Sequence, residues 1–414
     1  MKSSRLGLKV LSDRLVVKPP LLRKNVPKKA LYFLFLFFVF FPYITFVNIG
    51  TDMQPYGFIF AFVIFFLFKK KVTFSEVMLG LVFLSSILFL LVNTIDFAAL
   101  RSFFNYSSLF FIPYVSYRVL KSQCINFEFF LKFSIVIWFS VSVLQVVLDK
   151  SFLTFIVSHV RTTENRGVTG LAPEPTFLGI VFIFFILYLL HTNFKHKKIF
   201  IAVCIIGIVF LAKSSMALLF LALLIGLWGL TQFSLKSILI TIPSLLFVSL
   251  LISEFFKGTR MGYITTQIIN EPSNLLRLDE SINDRFSHVF FSLKGFFENF
   301  LIGHGYNSWE PYVTHQVQLY QNLIVVEWVS LGDRIMSGYG TAFFELGFLA
   351  LLIPMVLFYL LFKLYSKKLK LFWFHFLFIN IIMFSAIPLG FSLFAFYIGL
   401  LQYLVWKKNH VYAK

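Results

Sequence analysis

The feature that most constrains this chain is a succession of apolar runs separated by short connections. They lie near 31–48, 55–68, 74–95, 103–118, 127–148, 176–192, 199–213, 216–231, 237–253, 338–362, 371–387 and 389–406. A helix needs about 20 apolar residues, roughly 17–25, to cross the hydrocarbon core of a bilayer. A chain of 414 residues that is 59% hydrophobic and 13% charged, with a mean hydropathy of +0.85, has too little polar surface to meet water on all sides. The expected fold is an all-α polytopic membrane protein with about twelve transmembrane helices and one large external loop containing an amphipathic helix. The 59 phenylalanines read as lipid-facing bulk more than as an aromatic binding surface. No internal repeat is visible.

The net charge of +19 does not point to nucleic acid, because the basic residues sit in short connections, where they set orientation. Lys69-Lys70-Lys71, Arg118 with Lys121, Lys195 with Lys197 and Lys198, Lys236, Lys363 with Lys367, Lys368 and Lys370, and Lys407 with Lys408 share one side with the N-terminus. Both termini are therefore expected in the cytoplasm. The first residues are basic and lack a short apolar core with a cleavage site, so no removed signal peptide is expected. Cys124 and Cys204 offer neither a disulfide framework nor a metal spacing. The chain divides into a basic cytoplasmic segment (1–30), spans one to nine (31–253, with an external loop at 149–175), a large external loop (254–337), spans ten to twelve (338–406) and a cytoplasmic tail (407–414).

Lysine and arginine part company here. Most lysines fall on the cytoplasmic side, whereas Arg101, Arg161, Arg166, Arg260, Arg277, Arg285 and Arg334 fall on the other. Arginine presents a planar fork of donors suited to phosphate and carboxylate oxygens. Ordinary ion pairs with Glu164, Glu254, Glu271, Asp279 and Asp284 would be the plainer explanation. The stretch Arg161 to Gly179 concentrates the chemistry at the mouth of a span. Arg166 precedes Gly167 and Gly170, where backbone can approach a ligand. Pro175 suits the first turn of the next helix, whose free N–H groups favour anions. Glu174 has three roles open to it: offsetting the helix dipole, holding Arg166, or taking a proton from an acceptor hydroxyl.

In the long loop the apolar positions Ile282, Phe286, Val289, Phe290, Leu293, Phe296, Phe297, Phe300 and Leu301 follow helical spacing. Arg285, His288, Ser292, Gly295 and Asn299 form the opposite face. Such a helix should lie on the membrane surface or cover the bundle, with Arg285 aimed away from lipid. His304 and His315 are the external histidines best placed for acid–base work, although a lone loop histidine is more often simply solvated. Lys213 could contact a phosphate or merely reach the interface. Glu345 lies in the outer part of a span, where an ionisable side chain is costly. No metal-ligand spacing and no nucleotide-phosphate loop is present, and no cofactor is expected.

Arg166-Gly-Val-Thr-Gly170-Leu-Ala-Pro-Glu174-Pro175-Thr176-Phe-Leu-Gly179 resembles the signature of Wzy-type O-antigen polymerases. Lys213-Ser214-Ser215, Asn283-Asp284-Arg285 with Gly303-His304-Gly305-Tyr306, and Glu345-Leu346-Gly347 resemble further blocks of that family, in order, with the large external loop between the ninth and tenth spans. The related O-antigen ligases carry a His-Asn pair some nine residues before the last block. Met336-Ser337 stands there, which favours polymerase and leaves the base open.

The resemblance implies a metal-independent glycosyltransferase of the bacterial inner membrane, building lipopolysaccharide or another surface polysaccharide from undecaprenyl-pyrophosphate-linked oligosaccharide. Arg166 and Arg285 would grip the pyrophosphate, with Arg277 and Lys213 as lesser candidates. Glu174 or His304 would activate the acceptor. Gly170, Pro175, Arg161, His315 and Glu345 would support the site. Membrane lipid, a chain-length regulator and a flippase are the other implied partners. Two alternatives stand: a ligase moving glycan to the lipid A core, and a transporter or flippase, which would show repeats and midplane polar sites.

Overall fold

The computed structural model describes residues 26–47, 51–68, 72–163, 166–192, 194–231, 280–320, 334–385 and 387–411, with 262, 266 and 270 isolated between them. Regular structure among these residues is helical. The helices are α1 (Val26–Phe40), α2 (Tyr56–Phe65), α3 (Phe74–Val92), α4 (Phe97–Ser122), α5 (Phe127–Val147), α6 (Pro175–His191), α7 (Lys197–Ile206), α8 (Ser215–Thr231), α9 (Glu280–Glu298), α10 (Trp309–Leu319), α11 (Gly338–Leu346), α12 (Leu352–Tyr365), α13 (Leu369–Ser385) and α14 (Ser392–Val411).

Helix α6 is apolar all round and sits at the centre, with Phe182 to Leu189 buried. Helix α14 runs along α4, where Gly399 lies against the Pro113 carbonyl. The outward faces of the surrounding helices carry Phe62, Leu84, Leu88, Val136, Leu219, Met355, Phe358 and Trp373, all exposed. An apolar shell of that extent requires lipid as its solvent. Three helical segments are long and apolar enough to cross a membrane: α3, α5 and Phe348–Tyr365. Shorter apolar helices include α2, α6, α8 and α13.

Several elements depart from the sequence expectation. The first helix covers Val26–Phe40 and not 31–48, because the chain turns at Pro42 and the strip after it pairs with the 151–160 loop through an Ile44–Val157 bridge. The run 199–213 starts as α7 and widens into a π-helix over Gly207–Ala212, ending at Lys213 with φ +45°. The expected continuous span 338–362 is broken at Gly347, whose φ is +63°. There the 301–305 turn presses in: the Gly305 N–H donates to the Glu345 carbonyl at 3.1 Å and the Phe348 N–H to the Leu301 carbonyl at 2.8 Å. These bonds replace part of the helical ladder, and a Cβ at Gly347 would meet backbone at 2.3 Å. The ninth expected span, 237–253, the N-terminal segment to residue 25 and, within the long loop, residues 321–333 and nearly all of 254–279 lie outside the described residues.

Helix α9 is present where the spacing predicts it and covers the bundle, and the face it packs through mixes small polar residues with two phenylalanines. Asn283, Ser287, His288, Phe291, Ser292 and Phe296 are buried, whereas Phe286 and Phe297 are exposed. Small residues allow the close approach to α11. A Cβ at Gly340 would touch Ser292 Oγ at 2.5 Å, and one at Gly295 would touch Phe344 at 2.8 Å. Helices packing in lipid join through small and polar residues and leave bulky apolar ones outside.

Candidate active site at the mouth of α6

The stretch leading into α6 is folded onto three neighbours. Gln145 of α5 grips Gly170 on both sides, accepting from its N–H at 2.7 Å and donating to its carbonyl at 2.9 Å. Gly170 has φ +58°, a conformation glycine adopts without strain. The Val168 N–H donates to the Leu211 carbonyl at 3.0 Å. Gly167 passes so close to Ala212 that a Cβ would lie 2.0 Å from its carbonyl oxygen. Arg166 and Lys213, the neighbours of those two residues, are thereby brought to the same rim. Thr176 and Ser214 share a hydroxyl hydrogen bond of 2.9 Å across the same junction.

Glu174 is the N-cap residue of α6, with extended backbone, and Pro175 opens the helix. The Glu174 side chain does not cap the helix. Arg161 donates from Nε to Glu174 Oε1 at 2.8 Å and from Nη2 to Asp52 Oδ2 at 2.9 Å. Arg334 donates from Nη2 to that same Asp52 oxygen at 3.2 Å. Asp52 is buried, its side chain 8% exposed, while those of Arg161 and Arg334 are 45% and 40% exposed. Burial alone would raise the proton affinity of Asp52. The hydrogen bonds and charges of Arg161 and Arg334 outweigh it and hold the carboxyl below its ordinary value. Burial pulls Arg161 the other way, and its two carboxylate partners keep it firmly protonated. The buried Tyr43 hydroxyl has no hydrogen-bond partner among the described residues and lies within electrostatic reach of Asp52 and Glu174.

A guanidinium has five N–H donors. Arg161 commits two of its nitrogens and Arg334 one, so both keep donors on the solvent side of a buried carboxylate. Arg166 and Lys213 have no side-chain partner among the described residues. Lys150 donates to the Arg166 carbonyl at 2.9 Å and adds further positive charge to the rim. With the N-terminus of α6 beside it, the rim is suited to an oxygen-rich anion.

The structure sorts the other expected residues into separate groups. His304 stacks on Phe344 at 4.4 Å between ring centroids, and its Nε2 is 3.0 Å from the Gly295 carbonyl. It meets α9 and α11, not the Asp52 network. Glu345 accepts from Ser102 Oγ and Tyr106 Oη, both at 2.7 Å, and touches the His304 turn through its main chain. Arg285 is half-buried on α9, next to Asp284, and His315 is exposed on α10. Arg277 lies outside the described residues. Glu174 holds Arg161 and not Arg166. Sequence reasoning misses Asp52 and leaves Arg334 out of the site. Asp52 is the one carboxylate between Asp13 and Glu76, and that isolation in an apolar region is the available signal. No protein-family model, curated protein or solved structure matches this chain.

Proposed function

We propose that the chain is a polytopic inner-membrane glycosyltransferase that polymerises undecaprenyl-pyrophosphate-linked oligosaccharide repeats into O-antigen or a related surface polysaccharide. Its helices make about twelve spans with both termini in the cytoplasm, and the α6 mouth faces the periplasm. The observation that supports this most is the Asp52 network. Two half-exposed guanidiniums stand on one buried carboxylate, and Arg166 and Lys213 add unpartnered charge beside them. An arrangement that held these arginines only for stability would have no use for the surplus.

The reaction fits these groups. The acceptor hydroxyl oxygen bonds to the donor's anomeric carbon. The bond from that carbon to pyrophosphate breaks, with its electron pair leaving on the phosphate oxygen. The hydroxyl proton passes to a base. Arg161, Arg334, Arg166 and Lys213 stabilise the charge that develops on the leaving group, a role worth about 10²–10³ in rate for a single well-placed donor. Arg285 and Arg277 are further pyrophosphate ligands from the long loop. Glu174 is the preferred base, because its Oε2 has no partner among the described residues. His304 is engaged with the Gly295 carbonyl.

The test is the glycan ladder of a deletion strain complemented with Arg161→Ala or Arg166→Ala. Loss of long chains, with single repeats still attached to the core, is expected. Bare core would reassign the chain as a ligase, and normal ladders in both variants would overturn the proposal.

A further inference from the structure

The end of the bundle opposite the Asp52 network is dominated by lysine. The described carboxylates there, Glu76 and Glu128, are already paired with Arg118 and Lys132. Several lysines at this end also have partners. Lys121 lies over the Trp406 ring at 4.7 Å, and Lys408 donates to the Lys363 and Leu364 carbonyls. Lys367, Lys368 and Lys370 are different. They fall within four residues of one another, Lys367 and Lys368 in the turn from α12 to α13 and Lys370 in the first turn of α13, exposed, with no ammonium partner among the described residues. Like charges held this close repel, and no acid among the described residues offsets them.

A cavity of about 600 Å³ opens between this turn and the C-terminal end of α8, lined by Trp228, Thr231 and the three lysines. Leu369 is also in its wall. From Leu369 an exposed apolar stripe continues down α13 at four-residue spacing: Trp373, Leu377 and Ile381. Twelve helical residues rise about 18 Å, comparable to an extended acyl chain. Tryptophan marks the level of the bilayer interface. The lysines thus meet the depth of lipid phosphates, and the stripe runs toward the hydrocarbon. A basic pocket between helices, opening onto lipid, recognises anionic headgroups.

We propose that this cavity binds the phosphate headgroup of an anionic glycerophospholipid, of phosphatidylglycerol or cardiolipin type, with an acyl chain along Leu369, Trp373, Leu377 and Ile381. The lipid would bridge the end of α8 to the start of α13. A soluble phosphate compound shares the headgroup chemistry but makes no use of the stripe.

The test is native mass spectrometry of the full-length protein released from nanodiscs containing cardiolipin, with thermal unfolding read in parallel. Wild type should keep cardiolipin and gain thermal stability from it. The triple variant Lys367→Ala, Lys368→Ala, Lys370→Ala should bind it on the order of a hundredfold more weakly. A control triple, Lys195→Ala, Lys198→Ala, Lys407→Ala, removes the same charge outside the cavity and should retain lipid as wild type does. Trp373→Ala with Leu377→Ala, which leaves every lysine in place, should also weaken retention. Equal loss in both lysine triples would overturn the proposal in favour of diffuse surface charge. Stabilisation by inorganic phosphate to the same extent, or equal retention of phosphatidylcholine, would overturn it as well.

Discussion

Among the described residues, the Arg118–Glu76 pair and the Asp52 network stand at opposite ends of the bundle, and they are built differently. At the lysine-rich end Arg118 and Glu76 are both buried. Arg118 forks onto the two Glu76 oxygens, with Nη2 at 3.3 Å from Oε2, donates to the Tyr114 carbonyl and lies 3.2 Å over the Tyr114 ring. Glu76 also accepts from the Thr73 N–H in a capping box at the start of α3. Both side chains are closed off from solvent. At the α6 mouth one buried carboxylate anchors two guanidiniums that keep donors in reserve. The same residue types make a pair closed to solvent in one place and a half-exposed cluster in the other. What distinguishes them is whether the arginine faces solvent: the side chain of Arg118 is 8% exposed and that of Arg161 45%.

The sharpest way to break this contrast is to remove one arginine from each network. Arg118→Ala leaves Glu76 charged, buried and alone, a change that costs about 3–5 kcal/mol. Thermal unfolding in detergent should register it as a large loss, with any fall in glycan polymer following from the fall in folded protein. Arg161→Ala should do the reverse. Polymer formation should drop about 10²–10³-fold, while stability changes by about 1 kcal/mol or less, because the Arg161 side chain is half-exposed and Arg334 still pairs with Asp52. If Arg161→Ala unfolds the protein as severely as Arg118→Ala, the α6 mouth is scaffold and the contrast is gone.

Asp52 gives the comparison a pH axis. Its folded proton affinity is depressed, so its stabilising contribution is fully present above the unfolded-state value of about 3.9. That contribution is lost as pH falls through the lower folded value. The difference in unfolding temperature between wild type and Asp52→Asn should therefore stay constant from neutral pH to about 5 and shrink only below about 4. A difference that already collapses between pH 7 and 5 would mean that the arginines do not keep the carboxylate ionised. Glu345 offers a smaller effect of the structural kind. Glu345→Ala strands the Ser102 and Tyr106 hydroxyls, worth about 1–3 kcal/mol, and should loosen the 301–305 turn packed on α11 without abolishing polymer.

The apolar runs are legible because bilayer thickness leaves a coarse mark on any sequence. The Arg161–Gly179 stretch is legible because so many polar residues at the mouth of an apolar helix have few explanations. The partners are not. Asp52 meets Arg161 across 109 positions and Arg334 across 282, and no local pattern carries such pairings. Gly347 likewise stands in a helical run, and only the turn at Gly303 packed against it reveals a break. The sequence leaves Glu174 three roles, and its guanidinium partner depends on how the loop folds back through the Arg161 N–H to the Pro173 carbonyl.

Helix α9 extends the contrast to helix packing and carries the smallest prediction. Its periodicity is plain in the sequence, but periodicity alone does not say which face meets the bundle. A helix covering a bundle in water would turn all its phenylalanines inward, whereas α9 turns in Phe291 and Phe296 and leaves Phe286 and Phe297 outside. With lipid outside, bulky apolar residues cost nothing on the outer face, and small polar ones give the close contact with α11. Phe297→Ala, on the exposed face, should then change stability in detergent by about 0.5 kcal/mol or less. Ser292→Leu, which drives a branched side chain into Gly340, should cost about 1–3 kcal/mol by overpacking. Thermal unfolding of the purified protein reads both. If Phe297→Ala proves the more damaging, the exposed phenylalanines carry the contact, and the face of Phe291, Ser292, Gly295 and Phe296 is not what holds α9 against α11.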